Sequence, residues 1–315
     1  MFPSSHKSKH YWSVALKVLL LGATFGYIYY KLTQTDSLSL ETFAGSLQGK
    51  NYGLLFVFLL AACFNWILEI LKWKTLVNTF RPLLFKEAAQ QSLAAHSLSL
   101  ATPNRIGEYG AKAYFFRTPE RKRILLLNLF SNASQMLATL FFGIIGLAWM
   151  VVVYGLEFST IKVVTFMIVV CLLAFLGYVF KEKELLVKGL SLSKIMVAIK
   201  TLPRKAKWKT VFYAMGRYVC FSLLFAFMLQ FFSSSISLKE ATPIIWAMYL
   251  LVSIIPTVFL FDVIVRGGIA VWLFSMAGVP ELPVLSTVLL MWLLNVALPA
   301  VIGSFPALSY KKVSA

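Results

Sequence analysis

Thr102-Pro103-Asn104-Arg105-Ile106-Gly107-Glu108-Tyr109-Gly110-Ala111-Lys112 interrupts a strongly apolar chain. Ile255-Pro256-Thr257-Val258-Phe259-Leu260-Phe261-Asp262-Val263-Ile264-Val265-Arg266-Gly267-Gly268 does so again in its second half. Each stretch breaks the backbone with Pro and Gly. Each then sets an acid four residues before a base, Glu108 before Lys112 and Asp262 before Arg266. Free backbone groups and charges at membrane depth are costly unless they are buried in protein or line a wet cavity. Two such breaks at matching places in two halves of a chain point to a transporter-like site.

The surrounding composition makes membrane depth the relevant setting. Of 315 residues, 59% are apolar, and the mean hydropathy is +0.79. Soluble domains average about 45–50% apolar. The expected fold class is therefore an all-α integral membrane protein, a polytopic helical bundle. Net charge is +18, from 30 Lys and Arg against 12 Asp and Glu. The basic residues gather in short segments between apolar runs, which suits anionic membrane lipids and the positive-inside rule rather than nucleic acid.

A spanning helix needs about 20 mostly apolar residues. Six stretches qualify, at 12–32, 51–71, 124–154, 162–180, 211–232 and 284–305. The first reads as a retained helix rather than a cleaved signal peptide, because no small-residue cleavage site follows it. Lys7, Lys9 and Lys17 put the N-terminus inside. Lys72, Lys74, Arg81 and Lys86 put the end of the second span inside as well, and so do Arg117, Arg121, Lys122 and Arg123 for the start of the third. The stretch 83–120 thus starts and ends on one side, yet Ala88 to Ala101 is largely apolar. A re-entrant hairpin that turns at Pro103 accounts for this. A second hairpin, 241–279, begins and ends at outside loops carrying Glu240 and Glu281, and Lys311 and Lys312 put the C-terminus inside.

The expectation is a single transmembrane domain over 1–315, with both termini cytoplasmic. Residues 51–154 and 211–305 form two copies of helix, hairpin, helix with opposite orientation, an inverted repeat. Between them, 181–210 is a basic cytoplasmic linker. Leu185, Leu186, Leu190, Leu192, Ile195, Met196 and Ile199 alternate there with Lys183, Lys188, Lys194 and Lys200. That spacing suits an amphipathic helix on the anionic leaflet, and an ordinary linker suits it equally.

Soluble-enzyme signatures are absent: no Walker A loop, no Gly-x-Gly-x-x-Gly after a strand, no His-Glu-x-x-His, no Gly-x-Ser-x-Gly. His6, His10 and His96 include no pair at ligand spacing within the membrane, and Cys63, Cys171 and Cys220 lie in apolar runs without metal or redox spacing. No metal and no cofactor is expected. What remains is a polar set at membrane depth. In the first hairpin it is His96, Ser97, Ser99, Thr102, Asn104, Arg105, Glu108, Tyr109 and Lys112; in the second it is Ser253, Thr257, Asp262 and Arg266.

An acid and a base four apart share a helix face, so each pair could simply lock a hairpin tip. Alternatively Arg105, Lys112 and Arg266 meet an anionic head group, for which the guanidinium fork is well suited, while Glu108 and Asp262 hold them or bind a cationic moiety. Asn104, Thr102 and Thr257 complete that candidate site. Glu69, one turn from Trp66 and Trp73, reads either as half of a helix-end charge pair with Lys72 or as a site residue. Arg217 either snorkels to the cytoplasmic surface or lines the cavity beside the hairpins. His96 reads as a hydrogen-bonded interior residue, with proton relay as the alternative.

The Thr102-Pro103-Asn104-Arg105-Ile106-Gly107-Glu108 run resembles the Thr-Pro-x-Arg-x-Gly-Glu signature of the lysylphosphatidylglycerol synthase transmembrane region family, the flippase-like domain proteins. Asn65-Trp66 with Lys72-Trp73 is similar to that family's second helix, and Arg217-Tyr218 through Phe221-Ser222 and Ile255-Pro256-Thr257 through Arg266-Gly267 are similar to its later half. Asp262 stands near a place where the family form carries Glu. The resemblance covers about 12–305 and implies a bacterial inner-membrane protein, without the soluble synthase domain, that moves a phospholipid or lipid-linked molecule between leaflets. An intramembrane transferase acting on a phospholipid or lipid-linked sugar is the rival, with Glu108 or Asp262 as general base. The sequence leaves open a partner enzyme that supplies the substrate, and a homo-oligomer.

Overall fold

The computed structural model describes residues 45, 47–100, 102, 105–155, 161, 168, 172, 175, 176, 178–184, 191–233, 236–255 and 259–309, with Phe259 to Asp262 and Ser309 described by backbone only. The expected spans 12–32 and, for the most part, 162–180 lie outside the described residues, as do Asn104, Thr257 and the side chain of Asp262.

Among the described residues, four helical stretches are long and apolar enough to cross a membrane: Tyr52–Val77, Thr118–Tyr154, Arg204–Phe232 and Glu281–Leu308. Helix α1 is Tyr52–Val77; the Asn51 side chain starts it by accepting the Gly53 amide at 2.9 Å. At 1.5 Å per residue its 26 residues reach about 39 Å, more than the roughly 30 Å of a bilayer's hydrocarbon core. The short helices α2 (Phe85–Ser99) and α3 (Gly107–Tyr114) follow, then a 3₁₀ turn at Thr118–Glu120 and the long α4 (Arg121–Tyr154), which ends on Gly155 in the left-handed region. Within the basic linker, α5 (Leu192–Thr201) turns Ile195 inward and leaves Met196 and Val197 exposed. The second half holds α6 (Arg204–Phe232), α7 (Leu238–Ile254), α8 (Phe259–Ser275), α9 (Glu281–Trp292) and α10 (Leu298–Ser309).

Phe56, Leu60, Phe64, Leu137, Phe141, Ile144 and Val152 are all largely exposed. Apolar faces of that extent belong against lipid. The chain is an all-α membrane protein.

A π turn, Leu293–Ala297, joins α9 to α10. It leaves main-chain carbonyls outside the regular ladder, and other helices use them: the Trp66 indole donates to Asn295 O at 3.2 Å, and His96 Nε2 meets Val296 O at 3.2 Å.

Three antiparallel pairings hold the bundle together. Along α1 and α6, Phe58 meets Phe231, the Ala61 carbonyl accepts from Cys220, and Glu69 meets Arg217. Along α4 and α7, Phe142 meets Trp246 and Tyr154 donates to Glu240. Along α2 and α10, Ser97 donates to Ala300 O at 2.5 Å while Leu93 lies against Gly303. Glycine permits the two closest approaches. A Cβ on Gly303 would collide with the Leu93 carbonyl, and one on Gly146 with Pro243 O and the Ala247 amide nitrogen.

Gly303→Ala and Gly146→Ala should therefore each cost about 2–3 kcal/mol through forced separation of the helices. Gly268→Ala, where a Cβ meets nothing within 4 Å, should cost nothing. Thermal unfolding of the three purified variants in detergent checks this. Equal midpoints would refute it.

Candidate functional site

The site begins with the broken backbone after α2. Thr102 Oγ1 donates to Ser99 O at 2.7 Å and accepts the Gly107 amide at 2.8 Å, so one hydroxyl closes α2 and opens α3. A Cβ on Gly107 would crowd the Thr102 side chain at 2.9 Å, which explains the glycine. Between them Arg105 takes φ 55°, a left-handed conformation that a side chain with a Cβ rarely adopts. The turn holds Arg105 on the wall of a cavity.

That cavity has a volume of about 430 Å³ and lies where α1, α4, α6, α7, α8 and the π turn meet. Arg105, Arg217 and Arg266 all line it, as do Thr102 and Ser253. The guanidinium of Arg266 sits 5.7 Å from the centre of the Tyr249 ring. Asn65 Nδ2 donates to Asn295 Oδ1 at 2.9 Å and joins α1 to the π turn across the floor. Among the described residues no carboxylate lines the cavity.

The carboxylates lie behind it. Glu69, about two-thirds of the way along α1 and buried, sits 2.8 Å from Lys72 Nζ, 2.8 Å from Arg217 Nη1 and 4.0 Å from Lys112 Nζ. Lys72 and Lys112 are each only 1% exposed. Lys112 Nζ also meets Glu108 at 2.7 Å, donates to Asn128 Oδ1 at 2.9 Å and lies 4.4 Å from the centre of the Trp73 ring. The Trp73 indole in turn donates to Gln91 at 2.8 Å. Helices α1, α3, α4 and α6 thus share one buried network of two carboxylates and three cations. Desolvation makes such a cluster tenable only because every member is paired.

The residues singled out by sequence therefore separate into two places. Arg105, Thr102 and Arg266 line the cavity, together with Arg217. Glu108 and Lys112 form their expected pair, but in the buried network beside Glu69. Tyr109 is half-buried on α3. His96 is an interior residue, packed edge-on against Trp66 at 4.9 Å and bonded to Val296 O. Asn65, Gln135, Tyr218, Tyr249 and Asn295 are cavity residues that sequence reasoning did not select. Gln135 and Asn65 were visible as amides inside apolar runs, a signal that could have found them. The two tyrosines carry no such mark.

Comparison of the chain with protein-family models, with curated proteins and with solved structures finds no match.

Removing Glu69 would leave buried Lys72 without its carboxylate. Glu69→Ala should destabilise the protein by about 3–5 kcal/mol. Lys112→Met should cost distinctly less, because the Glu108 side chain retains 20% exposure and reaches solvent. Chemical unfolding in detergent would compare them, and the reverse order would show that the network does not turn on Glu69.

Proposed function

We propose that this protein moves an anionic lipid or lipid-linked molecule between membrane leaflets, with the polar head group held in the arginine-lined cavity. The observation that carries the reading is the presence of three guanidiniums in a cavity of about 430 Å³ between helices long enough to span a bilayer. Charges at such depth are retained where they serve a pathway or a ligand. Arginine offers phosphate two parallel hydrogen bonds. Arg217 lines the cavity with Glu69 holding its Nη1, which fixes the guanidinium in place. Lys112, bound into the buried network, acts in this reading through Glu69 rather than on the head group.

The helix pairings support an inverted repeat over 51–154 and 211–305. Exchanging α1 with α6, α2 with α7, α3 with α8, and α4 with α9–α10 maps the set of contacts onto itself. The α1–α6 pair maps onto itself, α2–α10 onto α7–α4, α1–α2 onto α6–α7, and α3–α4 onto α8–α9. Equivalent helices that cross antiparallel imply a pseudo-two-fold axis perpendicular to them, which in a bilayer lies in the membrane plane. The brevity of α2 and α3, about 22 and 12 Å at 1.5 Å per residue, suits a re-entrant hairpin within 83–120, and α7 with α8 forms its counterpart within 241–279. With 12–32 and 162–180 added, the bundle has six spans and both termini in the cytoplasm. Rocking one repeat against the other would expose the cavity to each side in turn. The resemblance to the flippase-like family, with the bacterial inner membrane as location, belongs to the same proposal.

Reconstituted into liposomes carrying head-group-labelled anionic lipids, the protein should speed loss of the inner-leaflet signal after dithionite treatment. Arg217→Gln and Arg105→Gln, each folded, should slow that step by about 10- to 100-fold, the loss expected for one charge-assisted hydrogen bond. Wild-type rates in both variants would remove the cavity from the pathway.

A further inference from the structure

We infer that Glu69 is an exchangeable counter-ion for Arg217, displaced when the phosphate of a head group takes the guanidinium. This rests on the function just proposed and adds a positioning residue to it. Of the charged residues in the buried network, only Arg217 also lines the cavity. Its side chain is 24% exposed, against 10% for Glu69 and 1% for Lys72 and Lys112. It is also already paired, with Nη1 donating to Glu69 at 2.8 Å. An anion entering the cavity therefore meets an ion pair at this position. It brings a second negative charge up to a guanidinium that a carboxylate holds, and the two anions repel each other. One of them must give way.

The network lets the carboxylate do so. Glu69 Oε2 is loaded twice, by Lys72 and by Arg217, each at 2.8 Å. Oε1 meets Lys112 Nζ at 4.0 Å, beyond hydrogen-bond reach. Without Arg217, Glu69 keeps Lys72 in full contact on its own helix. Lys112 can close the remaining gap while Glu108 still lies against it. The buried carboxylate stays paired throughout, which keeps the exchange from stranding a charge.

The exchange also bears on the proposed rocking. Glu69 lies on α1 and Arg217 on α6, in opposite halves of the chain. A movement that slides these helices past each other parts the two residues and leaves Arg217 without its carboxylate. With an anion on Arg217 and the lysines on Glu69, the same movement separates no ion pair. The pair is a latch between the halves that the ligand opens, and the empty protein stays locked.

The test titrates inorganic phosphate into the full chain in detergent and reads affinity by calorimetry. The informative protein carries Glu69→Gln together with Lys72→Met. It loses one charge of each sign, so net charge is unchanged and neither partner is left stranded. Phosphate should bind it about tenfold tighter than wild type, the worth of one charge-assisted hydrogen bond that no longer has to be broken. Glu69→Asp keeps the charge but draws it back from α6. It should shift affinity in the same direction, and it covers the case in which the double variant does not fold. Adding Arg217→Gln should abolish both gains. A purely structural role for Glu69 predicts equal or weaker binding, and that result would overturn the exchange while leaving the cavity standing. A gain that survives Arg217→Gln would also overturn it. No phosphate binding by any of these proteins, wild type included, would overturn the proposed function as well. Hexadecyl phosphate separates the two sources of the same chemistry. Binding tighter than that of inorganic phosphate, and lost with Arg217→Gln, assigns a membrane lipid. Binding weaker than that of inorganic phosphate assigns a soluble anion, which supports the exchange and overturns the lipid part of the proposed function.

Discussion

A carboxylate buried within a membrane helix cannot stand alone, and Glu69 does not. It sits between Lys72 on its own helix, Arg217 on α6 and Lys112 on α3. Buried Lys72 would itself be untenable in an apolar interior without it, whereas Lys112 has Glu108 as a nearer partner. The consequence is a constraint on the whole bundle. Helix α1 cannot part from α6 without separating Glu69 from Arg217, and α3 cannot leave without taking Lys112 from Asn128 on α4 and from the Trp73 ring on α1. The apolar clusters around Phe225 and Trp73 give the bundle its packing, but they do not dictate which helices must face each other. The charges do.

The same arrangement sets the electrostatics of the cavity. Glu69 takes one edge of the Arg217 guanidinium and keeps the carboxylate out of the cavity wall. Arg105 and Arg266 enter from the two interrupted segments. The cavity wall is thus positive and held from several elements at once. The π turn supplies Asn295 to the same cavity, tied to Asn65 from the other half of the chain.

Much of this was legible in the sequence, and the remainder was not for a definite reason. Hydropathy and length mark the four described spans, because lipid demands long apolar helices whatever their neighbours. The Thr102–Gly107 break is legible because Pro and Gly act locally. So is the Glu108–Lys112 pair, since four residues make one helical face. Glu69 with Arg217, Lys112 with Asn128 and Asn65 with Asn295 are of another kind. Each joins helices whose mutual rotation local pattern does not encode. Arg217 therefore had two readings in the sequence, snorkelling or cavity-lining, and the geometry places it on the cavity. The close approaches at Gly146 and Gly303 have the same character: a helical glycine announces itself, but not the backbone that it lets in.

Arg105 carries a cost that the rest of the turn does not require. Its φ of 55° is a conformation where glycine or asparagine would relieve about 1–2 kcal/mol of strain. A glycine here would relax the turn and delete the guanidinium from the cavity wall. Fold stability and cavity charge therefore ask for different residues at one position. Laboratory evolution for thermostability alone should replace Arg105 early, and the cavity would lose a positive charge in the process.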